Sequence, residues 1–145
     1  MKLKTIILAA ISILAISSCK KEEAPAYLEV NKNNISGYWE LSTWNGEAIK
    51  EGSYFQMNLV RNDETFTIIQ NLDAFPESPR QITGRYGLAP DPALGTIISG
   101  IYDHDSGYWS HDYIISELTP TSMTWTAVDD PLFVQIFTRI DTWKL

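Results

Sequence analysis

The sequence has one cysteine, Cys19, and two histidines, His104 and His111. A lone cysteine excludes an intrachain disulfide and a cysteine-built zinc site. Positive charge is also scarce: 11 Lys and Arg stand against 18 Asp and Glu, a formal net charge of -7. No Lys/Arg cluster offsets that excess, and such a surface repels phosphate backbones, so nucleic acid is not an expected partner. The chain has no Gly-x-Ser-x-Gly elbow, no His-Glu-x-x-His and no Gly-rich phosphate loop. A serine enzyme would have to use His104 or His111 as base beside Ser106 or Ser110, yet serines are ordinary turn residues. A pair of carboxylates for glycoside hydrolysis, drawn from 18 acids, has no specificity. The expectation is a protein that is not an enzyme, with a small hydrolase as the chemical alternative. Long helices are missing too: beyond the N-terminal segment no stretch has helical apolar spacing long enough for one.

What is present starts at the N-terminus, which reads MKLKTIILAAISILAISSCKKEE. Lys2 and Lys4 form a basic start. Residues 6–16 are apolar apart from Ser12. That run is too short to span a bilayer comfortably and has the form of a signal-peptide core. Ile16-Ser17-Ser18-Cys19 resembles a bacterial lipobox, with small residues before a cysteine that receives lipid. Removal of residues 1–18 takes away two lysines and no acid, which moves the net charge from -7 to -9. Lys20-Lys21-Glu22-Glu23 resembles the acidic export signal of Bacteroidetes-type lipoproteins. The resemblance implies a lipid anchor on Cys19 in the outer membrane, with the domain at the cell surface or on the periplasmic face. Several acyl chains hold a protein stably where one does not. The expected organisation is a signal peptide over 1–18, a lipidated, flexible tether over 19–34, and one folded domain over 35–145.

From Gly37 onward the pattern alternates. It predicts strands over 38–43, 54–60, 65–70, 81–86, 96–102, 113–118, 123–128 and 133–140. Asn45-Gly46 is a hairpin signal, and Ala89-Pro90-Asp91-Pro92 reads as a break. Short turns favour antiparallel neighbours, and an eight-stranded meander removes its edges by closing. The expected fold is therefore all-β, an eight-stranded antiparallel up-and-down barrel, with a sandwich of the same strands as the alternative. Inward sets are Trp39 and Leu41; Phe55, Met57 and Leu59; Phe66 and Ile68; and Met123 and Trp125. Strand six offers Ile114 with Leu118 or Tyr113 with Ile115. Strand eight offers Phe133 with Phe137 or Val134 with Ile136.

Gly37-Tyr38-Trp39 on the first strand and Arg139 on the last carry a family resemblance. Lipocalins have Gly-x-Trp on their first strand and an Arg on their last. Tyr54-Phe55, residues 62–66 and residues 118–123 resemble the hairpins of small lipocalin-like lipoproteins of Bacteroidetes-type bacteria. The resemblance spans roughly residues 35–140. It implies a lipocalin-like barrel in which Gly37, Trp39 and Arg139 lock one end, the guanidinium stacking on the indole. This chain is shorter than most lipocalins, so the interior is expected either filled by its own aromatics or hollow enough for a ligand.

Two places are candidate ligand sites. One is the interior, with Phe55 and Trp125. The other is the segment 102–112, where Tyr108 and Trp109 offer a platform for a flat face or sugar ring, with Asp105 and Asp112 as acceptors. Asp103-x-Asp105-x-Gly107 resembles the opening of a calcium loop, with Asp112 as a further oxygen. The bidentate carboxylate of an EF-hand would fall at Ile114, so the motif is incomplete and no cofactor is expected. The functional expectation is a binding domain for a small hydrophobic or amphipathic ligand or a glycan. The alternative is a packed scaffold that docks an envelope protein.

Overall fold

The computed structural model describes residues 26–72, 80–104 and 107–144. Cys19 with its signal segment, the acidic run 20–23, Asp105 and Ser106 lie outside the described residues. The elements are a helical turn, α1 (Lys32–Ile35), and strands β1 (Gly37–Trp44), β2 (Glu47–Ala48), β3 (Phe55–Val60), β4 (Thr65–Gln70), β5 (Arg80–Asp91), β6 (Gly95–Tyr102), β7 (Tyr113–Ser116), β8 (Ser122–Ala127) and β9 (Val134–Ile140). Strand β2 is a two-residue flap on β1. The other eight form an antiparallel meander in chain order, and β9 pairs back onto β1. That last pairing closes the sheet into an eight-stranded barrel of lipocalin-like topology and leaves no long open edge.

The hairpin signal acts as expected. Asn45 and Gly46 both take positive φ, 51° and 84°, as a tight hairpin turn requires. Two strand ends differ from the alternation. Strand β5 runs on to Asp91 through Ala89-Pro90, because beyond Tyr86 it pairs with β6 alone. An edge without a second partner needs no N–H from Pro90, which pairs across from Thr96. Strand β7 stops at Ser116 rather than at residue 118, because Glu117 turns into the left-handed region at φ 51°.

Alternation fills the lower barrel. Trp39, Leu59, Phe66, Ile98, Met123 and Phe137 are among its buried side chains. The open choices resolve to Tyr113 with Ile115, and to Phe133 with Phe137; Ile136 faces outward. A bulge between Leu41 and Thr43 shifts the phase of β1, so Trp44 comes opposite Gln135 on the inner side.

The segment before β1 folds onto the lower end. The Leu28 N–H donates to the Leu118 carbonyl at 2.7 Å, and Asn31 caps α1 by accepting from the Asn34 N–H at 2.9 Å. Ile35 at the end of that turn is fully buried. The indole Nε1 of Trp39 donates to the Ile35 carbonyl at 2.9 Å. The guanidinium carbon of Arg139, the cross-strand partner of Trp39, sits 4.1 Å from the indole centroid. Its three nitrogens donate to the carbonyls of Pro120, Ser36 and Asn34 at 2.9, 2.6 and 2.8 Å. Gly37 has φ 115°, and a Cβ there would lie 2.9 Å from Arg139 Nη1. The structure thus brings Gly37, Trp39 and Arg139 together at one end of the barrel. The cavity is at the other.

Candidate functional site: the barrel mouth

Above the packed half lies a cavity of about 420 Å³. Strand ends make its wall: Trp44 from β1, Phe55 from β3, Gln70 from β4, Tyr113 from β7, Trp125 from β8, and Gln135 and Phe137 from β9. The rings form one connected set. Trp125 lies 4.9 Å from Phe137 and 5.3 Å from Tyr113, and Phe55 lies 6.2 Å from Phe137. Centroid separations in this range are those of favourable tilted aromatic pairs. Phe55 and Trp125, both expected in a ligand site, are therefore in the same wall.

Tyr108 and Trp109 are not on one platform. The N–H of Trp109 donates to the Gly100 carbonyl at 3.0 Å, and Tyr108 bridges to Ile101. The short strand β7 reaches only residues 96–98 of β6, so the 107–109 segment takes the vacant place beside its end. Neighbours in such an extended segment point to opposite faces. Trp109 turns inward, against Phe66 at 5.1 Å and Trp125 at 5.9 Å. Tyr108 turns outward and is 77% exposed. Gly100 is what lets the indole in: a Cβ there would come within 2.1 Å of the ring. Trp109 Nε1 is buried without a partner among the described residues.

The polar groups of the mouth are few. Gln70 Oε1 accepts from the Leu72 N–H at 2.9 Å, which fixes that amide. Gln135 is 8% exposed and its side chain has no hydrogen-bond partner among the described residues. The Tyr113 phenol is pushed up to about 12, first by burial and then by the neighbouring Tyr102 and Asp129. At the rim, His111 Nδ1 meets Asp129 Oδ1 at 2.7 Å, and the imidazole lies against Phe133 at 4.8 Å. The hydrogen bond from His111 holds the Asp129 carboxyl below its usual value. Among the described residues no lysine, arginine, aspartate or glutamate lines the cavity.

The remaining candidates are scattered. Asp103 is tied to β5, where its Oδ2 accepts from the Thr83 hydroxyl at 2.7 Å. Asp112 is exposed on an outer hollow with Tyr108. Among the described residues no three His, Cys, Asp or Glu side chains gather where a metal would sit. His104 is exposed, away from His111 on the hollow beside Tyr102 and Tyr108. His111 with Asp129 has the form of an oriented base. Among the described residues, however, no serine hydroxyl is hydrogen-bonded to it. A closed barrel with an open mouth can in principle enclose a small ligand.

No family model, curated protein or solved structure matches this chain. The mouth must therefore be interpreted from its own chemistry. Trp44, Gln70 and Gln135 are among the wall residues that the inward sets read from alternation left out. The bulge hides Trp44 from any period-two count. Gln135 and Gln70 stand at inward positions of β9 and β4, where a polar residue reads as a gap in the apolar face.

Proposed function

We propose that this domain is a non-enzymatic binding module that takes a small, partly apolar ligand into the barrel mouth. The observation that carries the reading is the aromatic cavity of about 420 Å³ over a packed lower core. Its size falls in the range of ordinary small-molecule pockets, and its composition is a mostly apolar wall with a few polar groups. Most of the pocket wall comes from β-strand residues held in a closed sheet, so much of the site exists before the ligand arrives and little ordering is required on binding. The module belongs, in this reading, to a lipoprotein held at the envelope through lipid on Cys19. Lys20-Lys21-Glu22-Glu23 then serves as its outward sorting signal, and the described domain stands clear of the membrane on a short tether.

The test is thermal unfolding of the full-length chain in lipid nanodiscs against lipid, haem, bile-acid and glycan panels. A ligand that binds only the folded state at a hundred times its Kd stabilises by about 2.7 kcal/mol, a readily measured rise in Tm. At least one apolar or amphipathic member should raise Tm, and Trp125→Ala should abolish the rise. A panel in which no member moves Tm overturns the binding reading.

A further inference from the structure

Among the described residues, Gln135 is a polar side chain of the cavity wall that is more than nine-tenths buried and makes no side-chain hydrogen bond; the Trp109 Nε1 in the same wall is also without a partner. Gln135 is 8% exposed and lies inward between Phe133 and Phe137 on β9. A primary amide presents a donor and an acceptor side by side on one edge. Its amide atoms are not among the fully buried unpaired polar atoms of the described residues, so the amide edge is open to the cavity and its hydrogen-bonding capacity is left for what enters the mouth. Its cross-strand neighbours are Trp44 on β1 and Trp125 on β8, so an indole stands on each side of it. Among the described residues the wall carries no Lys, Arg, Asp or Glu side chain, and the Nδ1 of its one histidine, His111, is engaged by Asp129.

We propose that the mouth selects an uncharged planar heterocycle whose edge carries an adjacent N–H and C=O, as in a lactam or a nucleobase-like ring. Two parallel hydrogen bonds pair that edge with the Gln135 amide. The ring lies among Trp44, Trp125 and Tyr113, where stacking tolerates any π-face. The Tyr113 hydroxyl is a neutral neighbour to a second ring heteroatom. A carboxylate or phosphate finds no counter-charge in this wall, and the chain's net charge of -7 opposes it further. Fatty acids, haem propionates and nucleotides are thereby disfavoured relative to a free base or an uncharged ring system.

This inference rests on the binding reading above, and its probes are chosen to separate the two. The first probe is lumichrome, an uncharged tricycle with ring N–H and C=O groups. The second is 1,3-dimethyl-lumichrome, the same tricycle without ring donors. Both are titrated calorimetrically into the full-length chain in nanodiscs, with empty nanodiscs as the blank. Lumichrome is expected to bind about ten-fold more tightly than the dimethyl form, and Gln135→Leu is expected to erase that difference. Because the wild-type comparison uses only altered ligands, it decides the matter even if Gln135→Leu fails to fold. Equal affinity of the two tricycles for the wild type overturns the inference, and so does a preference that survives in Gln135→Leu. If lumichrome fails to bind while an apolar panel member raises Tm, the inference falls and the binding reading stands. If neither tricycle nor any panel member binds, both fall.

Discussion

Trp39 is held by three different forces at one point. Its ring is fully buried, its Nε1 donates to Ile35 at 2.9 Å, and the Arg139 guanidinium covers its face at 4.1 Å. Arg139 is in turn bonded to three carbonyls from two segments, Asn34 and Ser36 before β1 and Pro120 before β8. Removing the indole leaves a cavity, frees the Ile35 carbonyl and removes the surface on which Arg139 lies. Trp39→Ala should therefore cost about 3–5 kcal/mol, read as a lower denaturant midpoint. Trp39→Phe keeps much of the area and loses the hydrogen bond, so its cost should be nearer about 1 kcal/mol. A midpoint that Trp39→Ala leaves unchanged would sink the claim that these residues lock the barrel. The three residues stand at the end opposite the aromatic mouth, so the substitution should be read first as a change in stability.

At the scale of elements, β7 is the shortest of the eight barrel strands, and it opens on a strongly shifted titratable group. Tyr113 opens it, and burial raises the phenol from 10.0 to about 12. The folded state therefore favours the neutral phenol. Below pH 10 both folded and unfolded chains keep the proton and the contribution is fully present. Between pH 10 and about 12 the unfolded chain ionises first, so stability falls as pH rises through that window. Burial also raises the Tyr86 phenol on β5, with Glu64 adding to it, so absorbance titration of the phenolates should show a late component that shrinks, without vanishing, in Tyr113→Phe, and the alkaline loss of stability should be shallower in that variant. A full set of tyrosines titrating near 10 would contradict the burial of this ring.

The same strand shows how far alternation reaches. Period two identifies all eight barrel strands and most inward residues, because a sheet buried on one face punishes any slip in phase. It fails where the backbone leaves the period. The bulge in β1 brings Trp44 into the wall, and the positive φ of Glu117 ends β7 two residues early. The long β5 passes through Pro90, since an edge facing no neighbour asks nothing of the missing N–H. Phe55 and Trp125 are legible as site residues because they are large and inward. Gln135 is not, since an inward amide looks like an error in the pattern until the cavity around it is seen. Tyr108 and Trp109 look like a pair in sequence, but an extended segment sends their rings to opposite faces.

On the scale of the whole molecule the barrel is divided along its axis. One half is packed by Trp39, Phe66 and Leu59, and the other is hollow and aromatic. A closed sheet can carry a hollow half because its strand hydrogen bonds are satisfied all round, whatever fills the interior. The described part begins at residue 26, and Leu28 is already bonded to the base of the barrel at Leu118. Only a few residues thus separate Cys19 from the folded domain, and the lipid would hold the locked end toward the membrane. A ligand mouth at the far end would then face away from it. If Cys19 carries lipid, cells fed labelled palmitate should label the wild type and not Cys19→Ala, and the wild type alone should sediment with membranes. Burial of acyl chains contributes about 0.8 kcal/mol per CH₂, so loss of the anchor should release the domain completely rather than partly. Protease added to intact cells should digest the anchored wild type, while alanines at residues 20–23 should leave it protected. Equal palmitate labelling of wild type and Cys19→Ala would remove the anchor, and with it the reason for the mouth to face outward.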